Sequence, residues 1–585
     1  MNRSLAIFTA ALGLLATLLH TSEFTRRAHA FEQPEGASGF TPKPLAKAKR
    51  QMVVAAHPLA AEAGLAILRK GGSAVDAGIA TQMVLNLVEP QSSGIGGGAF
   101  ILYWDASGKS LTSIDGRETA PAAATPDLFL DTAGKPLPRA DVMASGRSVG
   151  VPGALASLAL AHQKFGKLPW PDLFEPAIAL ARDGFPVPPR LATQLADIGP
   201  KSFSPEARAY LFDKDGRAWP TGYRLRNPKL AETLSLIAQE GAKAFYDSEI
   251  AKDIAAAVAQ DPRGAGKLAG SDFAAYRAKE RNPVCAPYRS YEVCGMGPPS
   301  SGGVAVAQTL GIAAPFDLGN TPLQVEPTHL IAEAERLAYA DRARYLADSD
   351  FVSVPLAGLL DTNYLAERRA LINPDRALQD VVAGTPPNTR EGTFGNDATE
   401  ESAGTSQISI VDDAGNAFSM TTSIEQAFGA RLMVRGFLLN NQLTDFSFEP
   451  IDAEGRPVAN RIEGGKRPRS TMDPTIVFAE GRELRHVLGS PGGGAIALFN
   501  LKALLALTDW KLNPAEAAAL ANFGAPGSFL LEPGAALDPL AKAMQALGHK
   551  VERVPLSSGL HIISVTPDGL EGGADPRRDG VALGD

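Results

Sequence analysis

The chain is short of cysteine, of basic clusters and of long apolar runs, and each shortage excludes something. Only Cys285 and Cys294 occur in 585 residues, and two cysteines alone cannot make a structural zinc site. The eight histidines form no HExxH and no evident Ser/His/Asp set, so metal-assisted hydrolysis and a serine triad both lack a signature. No Lys/Arg run interrupts a net charge of −8 that is spread along the chain. That balance gives no footing for nucleic acid, and no basic amphipathic helix addresses a membrane surface. There are no internal repeats. The one long apolar run, 5–19, follows Asn2-Arg3 and precedes Ala28-His29-Ala30. It is short for a membrane span and has the shape of a secretory signal removed near Ala30. This address makes the protein exported, periplasmic or secreted, with no membrane attachment once the signal is gone; the alternative is that the segment stays as an uncleaved anchor. In an oxidising compartment Cys285 and Cys294 flank a strand–turn–strand pattern; they either pair across it or stay as two buried thiols.

What is present suits a large globular body of one or two domains, at 45% hydrophobic and 21% charged. With 58 glycines and 44 prolines, many tight turns are expected rather than disorder. Hydrophobic periodicity and breakers predict helices over 59–70, 74–88, 168–183, 228–247, 251–259 and 329–346, and within 148–160 a Gly150-Val-Pro-Gly153 turn followed by a helix. The last reads as a structural helix whose wet face carries Glu333, Glu335, Arg336, Asp341 and Arg342. Strands are expected at 100–104 and 111–115. Between helix 74–88 and the first strand runs Gly94-Ile-Gly-Gly-Gly-Ala99. It fits G-x-G-x-x-A formally, but a dinucleotide fingerprint needs strand, loop, helix, and here the order is helix, loop, strand. The run reads instead as backbone crossing close to backbone. Arg117, beside Gly116 at a strand end, is placed either to clamp a carboxylate through paired hydrogen bonds or to lie on the surface against Glu118.

Over 382–404 the pattern collapses into breakers without periodicity, a linker unusual inside a compact body. At Thr405 it stops. Strands are expected over 405–411 and 417–423, joined at Gly415-Asn416, and later ones near 436–439, 475–478, 484–488, 551–554 and 561–566. Helices over 495–506, 514–521 and 539–547 alternate with them. Helices flanking stacked, largely antiparallel sheets are the expected architecture. A floppy polar run abutting a buried strand at Gly404-Thr405 is odd for a domain boundary. It suggests that the chain is cut there and that the freed threonine is a nucleophile. Such a threonine needs no histidine, because its own α-amine, with an ordinary pKa of roughly 7.7–8.0, can take the hydroxyl proton. Gly492 and Gly493, at the start of a helix, offer backbone N–H groups to an oxyanion.

The ordered blocks 73–77, 90–98, Asp115-Gly-Arg-Glu-Thr-Ala-Pro121, 297–303, 332–335, Gly404-Thr-Ser406, Leu439-Asn-Asn-Gln-Leu-Thr-Asp-Phe446, 467–474, 489–493 and 573–577 resemble the gamma-glutamyltranspeptidases. These are N-terminal-nucleophile hydrolases, and the likeness runs from about 53 to 579. The resemblance implies an α/β (α+β) four-layer αββα sandwich. It implies a precursor cut into a large piece, 31–404, and a small catalytic piece, 405–585, which stay together as a heterodimer. It implies hydrolysis of glutathione and other γ-glutamyl compounds, or transfer to amino-acid or peptide acceptors, through a γ-glutamyl–Thr405 ester, with no cofactor and no metal. By the same resemblance Thr405 is the nucleophile and Ser423 supports it, and Gly492 and Gly493 form the oxyanion hole. Arg117, Ser470 and Thr471 hold the substrate α-carboxylate, while Glu425, Gln442 and Asp445 surround its α-ammonium.

The chain departs from the family pattern in places. Ser423 stands where threonine is common, Thr471 where serine is usual, and Gly494-Ala495 where Ser-Arg often follows. Glu425 stands where some members have asparagine. The segment 447–466 lies where lidded members carry a lid; it holds Phe448 but no tyrosine. A second reading is an acylase of the same fold cutting glutaryl side chains from β-lactams, against which Glu425 and Asp445 argue. A third is an uncut, inactive homologue, against which the set Thr405, Arg117 and Asp445 argues.

Overall fold

Two seven-stranded sheets each take strands from both sides of residue 404. The computed structural model describes residues 36–389, 392–399, 401 and 404–585; the expected signal segment, 1–30, lies outside them. One sheet runs in the order Ala46–Ala48, Gly569–Ala574, His561–Thr566, Glu483–Gly489, Thr475–Ala479, Tyr291–Gly295, Val284–Tyr288. The other runs Val581–Gly584, Met52–Ala55, Thr405–Val411, Ala417–Ser423, Gly98–Asp105, Ser110–Gly116, Lys279–Arg281. Neighbouring strands are antiparallel throughout both.

Side-chain alternation sorts the core into layers. Ile408, Ile410, Phe418 and Met420 face helices Pro58–Arg69, Ala74–Val88 and Ala154–Phe165. Met52, Val54, Trp104, Val411, Ile476, Phe478, Val487 and Ile563 fill the space between the sheets. Val477, Leu488 and Ile562 face helices Gly302–Ala313, Val325–Tyr345 and Ile496–Thr508. The result is the expected helix–sheet–sheet–helix sandwich, and because both sheet faces are covered, every residue of Thr405–Val411 is buried.

Local signals explain the elements nearest the site. Ser73 caps helix Ala74–Val88, with Asp76 closing a capping box, and every residue of the helix is buried, as its all-round apolar character requires. The glycine run after it is a close crossing. A Cβ at Gly96 would stand 2.0 Å from the Leu438 carbonyl oxygen, and one at Gly97 would stand 2.1 Å from that of Ser423. Cys285 and Cys294 are cross-strand partners and form a disulfide.

Three expectations change. Helix Val325–Tyr345 has no wet face over its charges: Glu333, Glu335, Asp341 and Arg342 are buried. Each carboxylate has internal partners instead. Glu335 accepts from the Ala525 N–H at 2.6 Å, and Asp341 accepts from the Tyr364 hydroxyl at 2.7 Å. The linker lacks regular structure but is docked, since the Asp397 N–H donates to the Ala343 carbonyl at 2.9 Å and the Gly395 N–H to that of Pro457 at 3.0 Å. Strands Gly569–Ala574 and Val581–Gly584 are additions to the expected set: the first is glycine-rich and carries little strand signal, and the second is only four residues long.

Candidate active site

Thr405 begins the third strand of its sheet and lies directly opposite Ser423. Strand alternation puts Thr405 on the face of Gln407 and Ser409, toward the other sheet. There Ser409 Oγ donates to the His561 carbonyl at 2.9 Å, and Ser419 Oγ donates to that of Leu488 at 3.0 Å. The layer between the sheets is thus polar at the Thr405 end and apolar at the Val411 end. Ser423 Oγ donates to the Gly404 carbonyl at 2.6 Å and accepts from the Glu425 N–H at 2.8 Å. The carbonyl of the expected cut is therefore already hydrogen-bonded by the side chain across the ladder.

The strand that leads into the glycine loop comes close to the Thr405 strand. A Cβ at Gly489 would come within 2.4 Å of the Gln407 side chain, so only glycine lets this strand end approach the Thr405 strand so closely. Gly492 and Gly493 follow with φ of 145° and 55°, in the region that favours glycine, before helix Ile496–Thr508. Tyr339 anchors the loop by donating its hydroxyl to the Gly494 carbonyl at 2.9 Å.

Arg117 enters from the far side of the sheet. Thr405 pairs with Ser423, Ser423 with Gly98, and Gly116 with the adjacent Ala99. Three strand spacings, roughly 14 Å, separate the Thr405 and Arg117 backbones. Arg117 is fully buried rather than on the surface. Its Nη2 donates to Asp445 Oδ2 at 2.5 Å and to the Arg469 carbonyl at 2.8 Å, and its Nε to the Pro468 carbonyl at 3.1 Å. Gln442 Nε2 also donates to Asp445 Oδ2, at 2.9 Å. Among the described residues Arg117 Nη1, Asp445 Oδ1 and Gln442 Oε1 have no hydrogen-bond partner, though all are buried. Buried polar atoms of this kind call for a partner, and a polar ligand can supply it.

The other predicted residues join this network. Asn441 Nδ2 donates to Glu425 Oε2, and Arg139 Nη2 donates to Glu425 Oε1 at 3.2 Å. Glu425 itself has a φ of 79°, a strained backbone for a side-chain-bearing residue. Ser470 lies one residue beyond the carbonyl that Arg117 holds, and its own carbonyl accepts from Ser301 Oγ at 2.7 Å. Thr471 Oγ1 accepts from Arg342 Nη2 at 2.8 Å. Phe100, Met296, Met472 and Ile496 pack together, tying the segments that follow each glycine run and Thr471. Burial pushes the Glu118 carboxyl up to about 8, against the opposing pull of Arg117, and burial also raises Asp445.

Some site residues were not anticipated. Arg342, Arg469, Arg139 and Asn441 all lie in this network, and Asn460 bridges it by donating to the Asp445 carbonyl at 2.7 Å and to Asp397 Oδ2 at 2.8 Å. One signal was available: Glu335, Tyr339 and Arg342 share a helix face by spacing. The segment 447–466 is held in place, with Phe448 stacked on Phe129 at 4.3 Å. Glu333, His329 and His549 cluster in the interior, where His329 Nδ1 and His549 Nε2 are hydrogen-bonded to each other at 2.6 Å. Among the described residues no helix is long and apolar enough to cross a membrane.

Two stacked antiparallel sheets with helices outside both define the four-layer fold of the N-terminal-nucleophile hydrolases. The chain belongs to the gamma-glutamyltranspeptidase family, whose model matches residues 60–585. It is 37% identical to the glutathione hydrolase proenzyme of Bacillus subtilis (strain 168), over 98% of this chain and 97% of that protein. It is 35% identical to the acylase ACY 1 proenzyme of Pseudomonas sp. (strain SE83), over 92% of this chain and 94% of that protein. Among solved structures, the cephalosporin acylase from Bacillus halodurans superposes with a TM-score of 0.80 at 29% identity, covering 93% of this chain and 97% of that one.

Proposed function

We propose that the chain is an exported precursor cut between Gly404 and Thr405, and that the cut protein is a γ-glutamyl hydrolase and transferase acting on glutathione and related compounds. In maturation Thr405 Oγ attacks the Gly404 carbonyl carbon and the peptide C–N bond breaks. This leaves an ester on Thr405 Oγ and a free Thr405 amine; water then splits the ester. In catalysis the same hydroxyl attacks the substrate γ-carbonyl, passing its proton to the Thr405 amine. The N–H groups of Gly492 and Gly493 receive the oxyanion. The proton moves to the leaving amine, and water or an acceptor amino acid or peptide takes the acyl group from Thr405. The pieces 31–404 and 405–585 stay together because both sheets draw strands from each.

The carrying observation is a buried trio without hydrogen-bond partners among the described residues: Arg117 Nη1, which has only the Glu118 carboxylate 3.7 Å away, and the acceptor oxygens Asp445 Oδ1 and Gln442 Oε1. A buried donor next to buried acceptors suits a small zwitterion, whose carboxylate would meet Arg117 with Ser470 and Thr471 and whose ammonium would meet Asp445 and Gln442 with Glu425. The likeness to proteins named acylases keeps a second reading in view, release of a glutaryl group. That group has no ammonium for Asp445 to meet. Thr405→Ala should run as one uncut chain and release nothing from a γ-glutamyl anilide; two pieces cut at that bond would sink the proposal. In the wild-type protein, faster release from a glutaryl anilide than from its γ-glutamyl counterpart would favour the second reading.

A further inference from the structure

Just ahead of the expected cut, the chain puts a carboxylate of its own into the site. Glu401 is buried, with its Oε1 accepting from Arg342 Nη2 and its Oε2 from Thr471 Oγ1. Arg469 Nε donates to the same carboxylate at 3.3 Å. Arg342 is itself steadied by Ser301, whose Oγ accepts from its Nε at 2.8 Å, and its guanidinium lies 5.5 Å from the centre of the Tyr339 ring. Upstream on the same segment Asp397 pairs with Arg469 Nη2 at 3.1 Å. Burial pushes the Glu401 carboxyl up, but Arg342 and Arg469 together outweigh it and hold the group below the usual range. Its charge reaches further: Glu401 helps raise Asp445, and Arg117 helps lower Glu401, so these groups share one electrostatic enclosure.

Two arginines this deeply buried need an anion, since each loses its hydration and they oppose one another. In the uncut chain Glu401 meets that need. The chemistry says what it stands for. Before the cut, the acyl group presented to Thr405 is the chain ending at Gly404; afterwards it is the substrate's acyl group, on the same side of the threonine. Glu401 is bound through Thr471, the residue expected to hold the substrate carboxylate.

We propose that Arg342 and Arg469 belong to the carboxylate-recognition subsite for the acyl donor, and that Glu401 fills this subsite in the uncut chain so that the precursor cannot bind its substrate. The inference rests on the proposed reading only for the identity of the donor; any small carboxylate donor seated at Thr471 would meet the same two cations. Cutting at Gly404 frees the C-terminal side of the segment, so Glu401 is then held from its N-terminal side alone and a substrate carboxylate can displace it.

The test uses the full chain held uncut by Thr405→Ala, with and without Glu401→Gln, titrated by calorimetry with L-glutamate and with glutarate. The amide is nearly isosteric but uncharged, so Arg342 and Arg469 lose the anion that neutralises them and the side chain holds the subsite more weakly. The double variant is expected to bind at least one of the two ligands 10-fold or more tighter than the single variant. If glutarate gains and glutamate does not, the subsite stands and the γ-glutamyl reading fails. If neither gains, the subsite is refuted whatever the donor. A second measurement does not depend on the uncut form: in the cut enzyme Arg469→Lys should raise KM for the acyl anilide about 10-fold while kcat moves less than 3-fold. Equal falls in kcat with KM unchanged would overturn the assignment of Arg469.

Discussion

Removing the Ser423 hydroxyl should slow the proposed self-cutting of the chain without stopping it. Ser423 is buried, sits opposite Thr405 in the ladder and donates to the Gly404 carbonyl at 2.6 Å. The Glu425 N–H donating to the same hydroxyl at 2.8 Å fixes its proton toward that carbonyl. As Thr405 attacks, the carbonyl oxygen becomes an oxyanion, and the bond strengthens. Only the difference between the two states affects the rate. A neutral hydrogen bond contributes about 1 kcal/mol, and a donor to an oxyanion about 2.7–4 kcal/mol. The difference, about 2–3 kcal/mol, corresponds to a rate loss of roughly 30- to 150-fold. Ser423→Ala should therefore convert from one band to two that much more slowly in a timed gel, with a circular dichroism spectrum like that of the parent. Ser423→Thr keeps the hydroxyl and should stay within a few-fold of the parent. Conversion of the alanine variant at the parent rate would refute the reasoning, because the 2.6 Å contact would then have no part in the step.

Asp445→Asn should lower kcat/KM for a γ-glutamyl anilide roughly 10- to 150-fold, the loss of one charge-assisted contact worth about 1.5–3 kcal/mol, while leaving any glutaryl release within a few-fold; equal losses on both would break the link to the ammonium. Replacing Cys285 and Cys294 by serine opens a bridge spanning nine positions at a sheet edge, so denaturant unfolding should show a loss of about 2–3 kcal/mol with cutting unaffected. Glu118 has a folded pKa of about 8 against 4.5 for the free side chain, the effect of burial. A raised pKa means stability present below 4.5 and lost as pH climbs through about 8. Glu118→Gln, which does not titrate, should accordingly gain on the wild type by roughly 2.7 kcal/mol between pH 6 and pH 9 in denaturant melts; a gap that does not change with pH would contradict the burial argument.

Much of this protein is written in local pattern. The change at Thr405 from breakers to alternation marks the head of a strand that the fold does bury, and residues 417–423 pair with it antiparallel across the expected Gly415-Asn416 connection. The order helix, loop, strand around Gly94–Ala99 already excluded a nucleotide site, and the close crossing at Gly96 and Gly97 gives the glycines their reason. Such features are legible because they depend on neighbours in the chain: period, turn residues, caps. The family blocks likewise pointed to a set of residues that the fold gathers into one buried network, with Arg117 meeting Asp445 across more than three hundred positions of sequence.

Only the tertiary structure decided which charges are wet and which are not. Helix Val325–Tyr345 carries acids and bases that read as a solvent face, yet Glu333, Glu335, Asp341 and Arg342 are buried, and Arg342 turns into the site. A segment without periodicity looked like a free linker, yet Asp397 and Glu401 are caught by Arg469 and Arg342. The physical reason is the same in each case. A charge reveals nothing locally about its partner, because an ion pair has no period and its two halves are brought together by packing of elements far apart in the chain. Whether Cys285 and Cys294 met was open for a related reason: the hairpin between them permits the bond, but only the register, which sets Cys285 directly against Cys294, makes it.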